Sequence, residues 1–358
     1  MRAAIVTPKQ PHSTQVADQP APKRRPDECL VRVLEVGIDG TDRDIDAGKY
    51  GEAPEGADVL ILGHESLGEI VEAAGSEKGL VVATVRRPCP ERCIACRAGQ
   101  YDFCRSGNFL ERGIKGRNGY LAEFYVERPE FLIPIPAELR PVAVLLEPMS
   151  IVQKAFREVY RIQQRMPWEP KRIVITGAGG IGTLAAAIAR LKGLETVVYS
   201  RGPSRGAAHE IRQALGATYV NADDHTLADV AADSGPADIV IEATGFSPVA
   251  WQAADALDVN GILCLLSVAG SGERKVEISS DTLNDKLVLG NRLLFGAVNS
   301  SRADFEQGVK DFGELRGRWP GVIEKMITRR LPLEQIRKGL DERPKGDLKT
   351  VIEIASAR

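Results

Sequence analysis

The sequence predicts an α/β protein in which a β-rich region precedes a doubly wound parallel sheet. Short apolar segments broken by glycine and proline fill residues 1–150. From Lys171 onward, segments with the patterns of strands and helices alternate along the chain, which is typical of a parallel sheet covered by helices. A length of 358 residues suits two domains of ordinary size.

The first region has the features of antiparallel strands joined by turns. Residues 29–39 and 120–127 alternate or run apolar as strands do. Glycine and proline concentrate at 48–56 and 128–136, where they predict turns. We therefore expect a partly barrel-like β domain, followed by a helix over 147–165, where apolar residues recur at helical spacing.

The second region predicts the alternating elements of a dinucleotide-type sheet. Residues 172–182 combine an apolar strand with a glycine turn, and a small-residue helix (183–193) and a second strand (195–200) follow. After about residue 290 the alternation fades, and the tail ends in a predicted strand over 350–355. Because this unit has flanks on both sides, we expect the tail to return to the first domain. The predicted boundaries are 1–150, 151–295 and 296–358.

The composition excludes several classes of protein. The formal net charge is −2 and the isoelectric point about 6.2, so no basic excess is present to bind nucleic acid or an anionic membrane surface. Residues 1–15 contain no long apolar segment, unlike a secretory signal. No apolar run approaches the roughly 18 residues that would cross a bilayer. These features predict a cytoplasmic protein.

The glycine turn predicts a dinucleotide site. Residues 177–182 read Gly-Ala-Gly-Gly-Ile-Gly, which matches G-x-G-x-x-G. Gly177 would permit the tight turn, Gly179 would let the backbone approach a pyrophosphate, and Gly182 would let helix and strand pack closely. The helix that follows would present free N–H groups to the phosphates. An ordinary turn without a ligand is the alternative, but the strand before the glycines and the helix after them favour a dinucleotide site.

The end of the second strand favours NADP over NAD. A carboxylate at this position would bind the ribose 2′-hydroxyl of NAD, but the chain has Arg201 after Ser200 and no acid. Arg201 could meet a 2′-phosphate, and Ser200 and Arg205 could add donors. The alternatives are use of NAD and a merely solvated arginine loop.

Four of the six cysteines form a tight cluster in the sequence. Cys89, Cys93, Cys96 and Cys104 lie within sixteen residues, and four thiolates so close can surround one tetrahedral zinc ion. No ligand position would stay open, so the site would be structural, in a lobe over about 88–105. Two disulfides are the alternative, which a reducing compartment disfavours. Cys29 and Cys264 stand alone in apolar strands and are interpreted as core residues.

Four residues in the first region could take part in catalysis. His64 and Glu65 follow an apolar run, Asp39 closes an earlier strand, and Glu147 precedes a proline. Taken singly, each has an ordinary explanation: a core histidine with a satisfied hydrogen bond, or carboxylates in turns and helix caps. Their meaning depends on whether the fold brings them together.

Taken together, these motifs resemble the zinc-dependent medium-chain alcohol dehydrogenases. The Gly-His-Glu string at 63–65, the four-cysteine lobe, the glycine turn and the split first domain match nearly end to end. Within that superfamily the sequence is most similar to the glucose dehydrogenase branch. The strings that carry this narrower resemblance lie at 86–88, 111–114, 146–148, 243–246 and 296–299.

The resemblance implies a GroES-like catalytic domain and a catalytic zinc site. Asp39, His64 and Glu147 would hold the zinc, with Glu65 as a near ligand or a partner behind the ligands. Thr41 would relay the hydroxyl proton outward. Most of the superfamily has cysteine where this chain has Asp39, and two residues rather than three between its first two lobe cysteines. An oxygen-rich site should admit other divalent metals more readily than a thiolate site.

The resemblance also implies an aldose 1-dehydrogenase, most similar to enzymes that oxidise glucose to the lactone with NADP, as a homodimer or homotetramer. The alternatives are another polyol or alcohol dehydrogenase of the superfamily and a catalytically silent dinucleotide-binding redox sensor.

The resemblance also implies which residues bind the substrate and the cofactor. The implied sugar-binding residues are Thr41, Glu111, Glu147, Gln153 and Asn299. The implied cofactor-binding residues are Gly177, Gly179, Gly180, Ile181, Gly182, Ser200, Arg201, Arg205, Thr244, Leu266, Ser267, Val268, Ala297, Val298 and Asn299.

Overall fold

The computed structural model describes residues 1–73, 75, 78–268 and 274–355. The chain divides into two compact units. Unit 1 comprises Met1–Ser150, Asn299–Gly313 and Ile327–Arg358, and unit 2 comprises Ile151–Val298 and Glu314–Met326. The expected three-part division stays a prediction; in these units, Glu314–Met326 groups with the second unit rather than with the rest of the C-terminal segment. No described helix has the length and apolar character needed to cross a membrane.

Unit 1 is built on β-sheets whose described strand pairs are antiparallel, as the sequence predicts, except for two parallel pairs. Its described strands are β1 (Arg2–Val6), β2 (Gln15–Asp18), β3 (Cys29–Ile38), β4 (Leu60–Ile61), β5 (Glu65–Glu72), β6 (Gly79–Ala83), β7 (Arg86–Arg87), β8 (Leu110–Arg112), β9 (Gly116–Arg117), β10 (Phe124–Glu127), β11 (Leu132–Ile135), β18 (Ile327–Pro332) and β19 (Lys349–Glu353). The largest sheet runs in the order β11-β6-β5-β3-β19-β18, with β10 also paired to β3. The apolar residues of β3 point into a core whose members include Val31, Val33 and Val36.

Unit 2 contains a parallel sheet whose described strands are β12 (Arg172–Thr176), β13 (Glu195–Ser200), β14 (Thr218–Asn221), β15 (Ala237–Glu242), β16 (Leu257–Leu265) and β17 (Leu293–Gly296). They lie in the order β14-β13-β12-β15-β16-β17. The first strand lies at the centre and the order reverses beside it, which is the arrangement of a Rossmann fold.

The helices among the described residues of both units are α1 (Gly40–Asp46), α2 (Ile94–Arg97), α3 (Leu146–Gln163), α4 (Gly180–Leu191), α5 (Gly206–Leu215), α6 (Leu227–Ser234), α7 (Ser247–Gln252), α8 (Ser280–Leu289), α9 (Arg302–Arg318) and α10 (Ile336–Asp341).

Two expectations about the C-terminal third need correction. The alternation does not end near residue 290, because β17 is a further parallel strand paired with β16. This strand has only four residues, too few for its pattern to stand out. The tail holds two strands rather than one, since β18 pairs with β19. The return of β19 to the first unit, against β3, agrees with the expected path of the tail.

Candidate functional site

A cluster of buried polar side chains lies within unit 1, where β3 and the segment before β5 end. Asp39, His64 and Glu65 each place one ligand atom within 4.8 Å of the others. Nε2 of His64 lies 3.6 Å from Oδ2 of Asp39. His64 and Glu65 are almost fully buried. The structure therefore brings together three of the four residues that the sequence nominated for a metal.

Asp39 is held in place by the start of α1. It is the N-cap of this helix, and its Oδ1 accepts hydrogen bonds from the backbone N–H groups of Thr41 (2.7 Å) and Asp42 (3.2 Å). This leaves Oδ2 directed towards His64. Burial acts to raise the pKa of Asp39, but the charge of His64 and its hydrogen bond outweigh burial, so the pKa lies well below its ordinary value. Asp39 is an anion ready to bind a cation.

Asp42 lies behind His64 and was not found from the sequence. Its Oδ1 is 3.7 Å from Nδ1 of His64, and Asp42 is fully buried. The same oxygen accepts a hydrogen bond from the backbone N–H of Gly63. A carboxylate behind a histidine is the usual way to orient an imidazole that binds metal through its other nitrogen. Burial acts to lower the pKa of His64, but Asp39 and Asp42 together raise it well above the ordinary value.

Glu65 is paired with Lys349, a second residue that the sequence did not reveal. Both carboxylate oxygens of Glu65 accept hydrogen bonds from Nζ of Lys349 at 2.6 Å, and both residues are buried. A side chain at Gly37 would overlap the Glu65 carboxylate, so glycine at this position of β3 leaves room for the pair. Because Lys349 already neutralises it, Glu65 fits the role of a partner behind the ligands as well as that of a ligand.

Glu147 completes the charge distribution of this site. It lies in the first turn of α3 and is buried. It falls outside the compact set of donor atoms formed by Asp39, His64 and Glu65. Burial raises its pKa to about 8; His64 opposes this effect, while repulsion from Glu65 and Asp39 adds to it. A divalent cation would stabilise the carboxylates of Asp39, Glu65 and Glu147, and together with the imidazole of His64 this oxygen and nitrogen donor set suits zinc.

Thr41 leads from the cluster towards solvent. It is half-buried, and its side chain lies near the hydroxyl of Tyr50. Tyr50 is 38% exposed, so part of this residue contacts solvent. Burial raises the pKa of Tyr50 to about 12; the group therefore stays protonated and can pass a proton only by donating one as it accepts another. Tyr50 is a third residue that sequence reasoning missed.

The four lobe cysteines converge, and Cys89 lies among them. The Sγ atoms of Cys89 and Cys96 are 3.6 Å apart and those of Cys93 and Cys104 are 3.9 Å apart. Four sulfurs bound tetrahedrally to zinc at about 2.3 Å would be separated by about 3.8 Å. All four thiols are free rather than joined as disulfides. The backbone N–H of Arg105 donates to Sγ of Cys93 and lowers the pKa of that thiol to about 6.

The glycine turn in unit 2 has the geometry that its sequence predicted. Gly177 has φ +100°, and a Cβ there would crowd Ala243. A Cβ at Gly182 would overlap the carbonyl oxygen of Gly177, which explains the close packing of α4 on β12. Gly179 is the N-cap of α4 and has open space beside it. The turn therefore offers free helix N–H groups to an anion.

The other predicted cofactor residues follow the carboxyl ends of parallel strands, the edge where Rossmann folds bind dinucleotides. Ser200 ends β13, and Arg205 is the N-cap of α5. Thr244 follows β15, residues 266–268 follow β16 and residues 297–298 follow β17. Asn299 is different, because it belongs to unit 1.

The exposed ring of Phe246, beside this edge, contacts two arginines. The guanidinium carbon of Arg201 lies 5.7 Å from the ring centroid of Phe246, and that of Arg274 lies 5.2 Å from it. Both distances are within cation–π range. Arg274 had no motif to mark it in the sequence. The two positive charges of Arg201 and Arg274 could together bind a phosphate group.

The predicted sugar-binding residues divide between the units. In unit 1, Oε1 of Glu111 accepts a hydrogen bond of 2.7 Å from Nδ2 of Asn299 and pairs with Arg86, which the sequence did not nominate for function. Asn299 has φ +59°, in the left-handed region that asparagine tolerates better than most residues. Gln153 is buried on α3 and belongs to unit 2.

The sequence matches known dehydrogenases over almost its whole length. Residues 140–354 match the family described as glucose dehydrogenase C-terminus, and residues 25–137 match the alcohol dehydrogenase GroES-like domain. A glucose 1-dehydrogenase of Methanocella arvoryzae is 45% identical over 362 residues, which cover 99% of this chain and 100% of that protein. A glucose 1-dehydrogenase of Metallosphaera sedula is 35% identical, with 99% and 98% covered.

Solved structures agree with these matches. Glucose dehydrogenase from Haloferax mediterranei superposes with a TM-score of 0.91 at 32% identity, and 100% of both chains is covered. A second structure of the Haloferax enzyme, with the same score, is a complex with NADP, Zn and gluconolactone. A 2R,3R-butanediol dehydrogenase from Bacillus subtilis, at 22% identity and a TM-score of 0.80, shares the fold.

Proposed function

This chain belongs to the glucose dehydrogenase family of the alcohol dehydrogenases, and we propose that it oxidises C1 of glucose to the lactone with NADP as hydride acceptor. The family and the α/β fold class predicted from the sequence are confirmed. The observation that carries the proposal is the buried donor cluster of Asp39, His64 and Glu65, in a chain that also has an intact glycine turn.

An assay of NADP reduction across a panel of sugars and alcohols, with and without a chelator, tests this function. We expect glucose to be among the best substrates and the chelator to abolish turnover. Preference for a polyol or a simple alcohol would favour the related dehydrogenase activities instead. Binding of NADP without turnover of any substrate would favour a redox sensor.

We propose that Asp39, His64 and Glu147 hold the catalytic zinc, with Glu65 beside them. Bound there, zinc would polarise the C1 hydroxyl and lower its pKa, so that the alkoxide forms near neutral pH. The carboxylate of Asp42 faces Nδ1 of His64 at 3.7 Å, and Lys349 balances the charge of Glu65. Bound NADP would accept the hydride of C1 at its nicotinamide as the C1 carbonyl forms.

In this proposal the proton of the C1 hydroxyl reaches solvent through Thr41 and Tyr50. Thr41 accepts it and donates its own proton to Tyr50, which is partly exposed and can release one to water. Sugar hydroxyls that do not react require further polar partners. Glu111, Gln153 and Asn299 are proposed for this role, and Thr41 and Glu147 would lie next to the reacting hydroxyl.

The cofactor preference can be tested at Arg201. In our proposal its guanidinium, together with Arg274, Ser200 and Arg205, binds the 2′-phosphate that NAD lacks. We expect Arg201→Ala to raise the KM for NADP by about 10-fold or more, the size of a lost hydrogen bond to a charged group, and to leave the KM for NAD nearly unchanged. Steady-state kinetics with both cofactors measure this.

Arg318→Ala is a matched control for this test, because Arg318 is also an exposed arginine over an aromatic ring, that of Trp319. It should change neither KM. Equal effects of Arg201→Ala on the two cofactors, or a wild-type enzyme clearly better with NAD, would contradict the assignment.

We propose that Cys89, Cys93, Cys96 and Cys104 hold a structural zinc. Cys96→Ser should lower the thermal midpoint and the zinc content by about one ion per chain, because a structural zinc contributes directly to folding free energy. Atomic absorption and a thermal melt measure the two effects. Cys264→Ser, which alters a buried cysteine outside the lobe, should leave the zinc content unchanged. Unchanged zinc content in Cys96→Ser would exclude this site.

We further propose a cytoplasmic homodimer or homotetramer. A four-thiolate site needs reduced cysteines, which a reducing compartment maintains. β17 is an edge strand of the parallel sheet, and Leu294 on it and Leu289 just before it are exposed to 39% and 80%. Exposed apolar side chains at a strand edge favour association. Light scattering of the purified protein tests the assembly, and a monomeric mass would contradict it.

A further inference from the structure

The carboxylate of Glu111 is held by a buried arginine on the neighbouring strand. β7 and β8 pair antiparallel with Arg86 directly opposite Glu111. Nε and Nη2 of Arg86 lie 3.0 Å and 2.9 Å from Oε1 of Glu111. The side chains of the two residues are only 8% and 12% exposed, so solvent screens the pair weakly.

The contacts of Glu111 fall on one oxygen and leave the other available. Oε1 receives both nitrogens of Arg86 and Nδ2 of Asn299. Within the part of the chain that the structure describes, no hydrogen bond to Oε2 is found. Because the side chain retains some exposure, Oε2 is the atom that a ligand hydroxyl can reach.

Arg86 is itself fixed by contacts that do not involve a ligand. Its guanidinium lies over the ring of Phe109, 3.8 Å from the centroid. Its Nη1 donates to the carbonyl oxygen of Asp102 at 3.1 Å. Asp102 lies in the short helical turn that leads into Cys104. Arg86 therefore connects the four-cysteine lobe to Glu111.

The position of Glu111 relative to the metal cluster follows from its own strand. Gly113, two residues further on, packs against the backbone of Gly63 so closely that a Cβ would overlap the Gly63 carbonyl oxygen. Gly63 immediately precedes His64. The backbone two residues after Glu111 therefore contacts the residue that precedes the candidate metal ligand His64.

We propose that Arg86 is a positioning residue for the sugar. Arg86 and the amide of Asn299 both bind Oε1 of Glu111 and thereby orient Oε2 towards a hydroxyl of the sugar that does not react. A planar guanidinium with two donors on one oxygen sets the rotation of the carboxylate, whereas an ammonium acts as a point charge and does not. The inference rests on the proposed sugar site. It predicts that affinity for the sugar depends on a residue that never touches it.

The test compares Arg86→Lys with Arg87→Lys. Arg87 is the adjacent residue of the same strand, is similarly buried, and pairs with Glu127 instead. We expect Arg86→Lys to raise the KM for glucose by about 10-fold or more and to leave the KM for NADP unchanged. Arg87→Lys should reduce stability without changing the KM for glucose.

A series of deoxyglucoses supplies a readout that a merely structural role would not change. A site built to bind a hydroxyl discriminates against the analogue that lacks it, and Glu111→Gln identifies that hydroxyl by loss of the discrimination. Arg86→Lys should lose discrimination at the same hydroxyl. The double variant should be no worse than Glu111→Gln alone, because both changes remove one interaction.

Phe109→Leu tests the same inference if Arg86→Lys does not fold. It removes the ring beneath Arg86 without touching Glu111, and it should raise the KM for glucose in the same direction. The inference is overturned if the folded variants keep wild-type KM and discrimination, or if the effects of Arg86→Lys and Glu111→Gln multiply independently. If Glu111→Gln itself changes neither quantity, the sugar site is wrongly assigned, which is a different result.

Discussion

Replacing His64 by alanine is expected to lower kcat with glucose by at least about 10²-fold. The variant loses the nitrogen donor of the proposed metal site and leaves the carboxylate of Asp39 without the imidazole that its Oδ2 faces. The C1 hydroxyl would then have no strong Lewis acid to lower its pKa. Steady-state kinetics, with zinc content measured on the same sample, give the result.

The rest of the protein should survive this change. The glycine turn lies in unit 2, whereas His64 lies in unit 1, so NADP binding measured by fluorescence should stay near wild type. His12→Ala is the matched control, because His12 is in the same unit but has a side chain that is 68% exposed. It should keep full activity. A His64→Ala enzyme that retains wild-type kcat and zinc content would contradict the proposed metal site.

Removing Lys349 should have the largest effect on stability. Lys349→Met leaves Glu65 buried without its cation, and breaking a buried ion pair from one side typically costs about 3–5 kcal/mol. We expect the free energy of unfolding, measured by denaturant titration of zinc-free protein, to fall by about this amount. Zinc should restore part of the loss, because a bound cation would also compensate the charge of Glu65.

The double variant Lys349→Met with Glu65→Gln separates charge from packing. It removes both members of the pair and leaves no unpaired charge, so it should be more stable than Lys349→Met alone. If the single and double variants were equally destabilised, packing of the Lys349 side chain rather than its charge would explain the loss. The assignment of Lys349 as the counter-ion of Glu65 would then be wrong.

Local sequence patterns predicted the elements whose chemistry is contained in a short stretch. Gly182 requires glycine for a steric reason that is complete within one strand, one turn and one helix, because a Cβ there would overlap the carbonyl oxygen of Gly177. The four cysteines lie within sixteen residues of the chain. Few contacts with the rest of the fold are therefore required to bring their sulfur atoms together. The strand at 195–200 and the arginine after it likewise carried the NADP preference in a few adjacent residues.

The partners that orient the candidate site could not be found in this way. Lys349 is 284 residues from Glu65 and is one of many lysines in the chain, so no spacing distinguishes it. Arg86 gained its interpretation only when β7 and β8 paired it with Glu111. Asp42 is close to Asp39 in sequence, but its function depends on which atom of His64 it faces.

The sequence by itself determined the fold class, the glycine turn and the cysteine cluster, because glycine sterics, apolar periodicity and close spacing are local properties. Asp39, His64 and Glu147 were nominated as metal ligands only through the resemblance to the zinc-dependent dehydrogenases. The tertiary structure alone decided which nitrogen of His64 faces Asp39, which cation balances Glu65, and which oxygen of Glu111 is left available. These properties depend on the pairing of distant strands and on burial. Burial makes each unpaired charge costly. The partner of a buried charge can therefore come from a strand that is distant in sequence, as Lys349 does for Glu65.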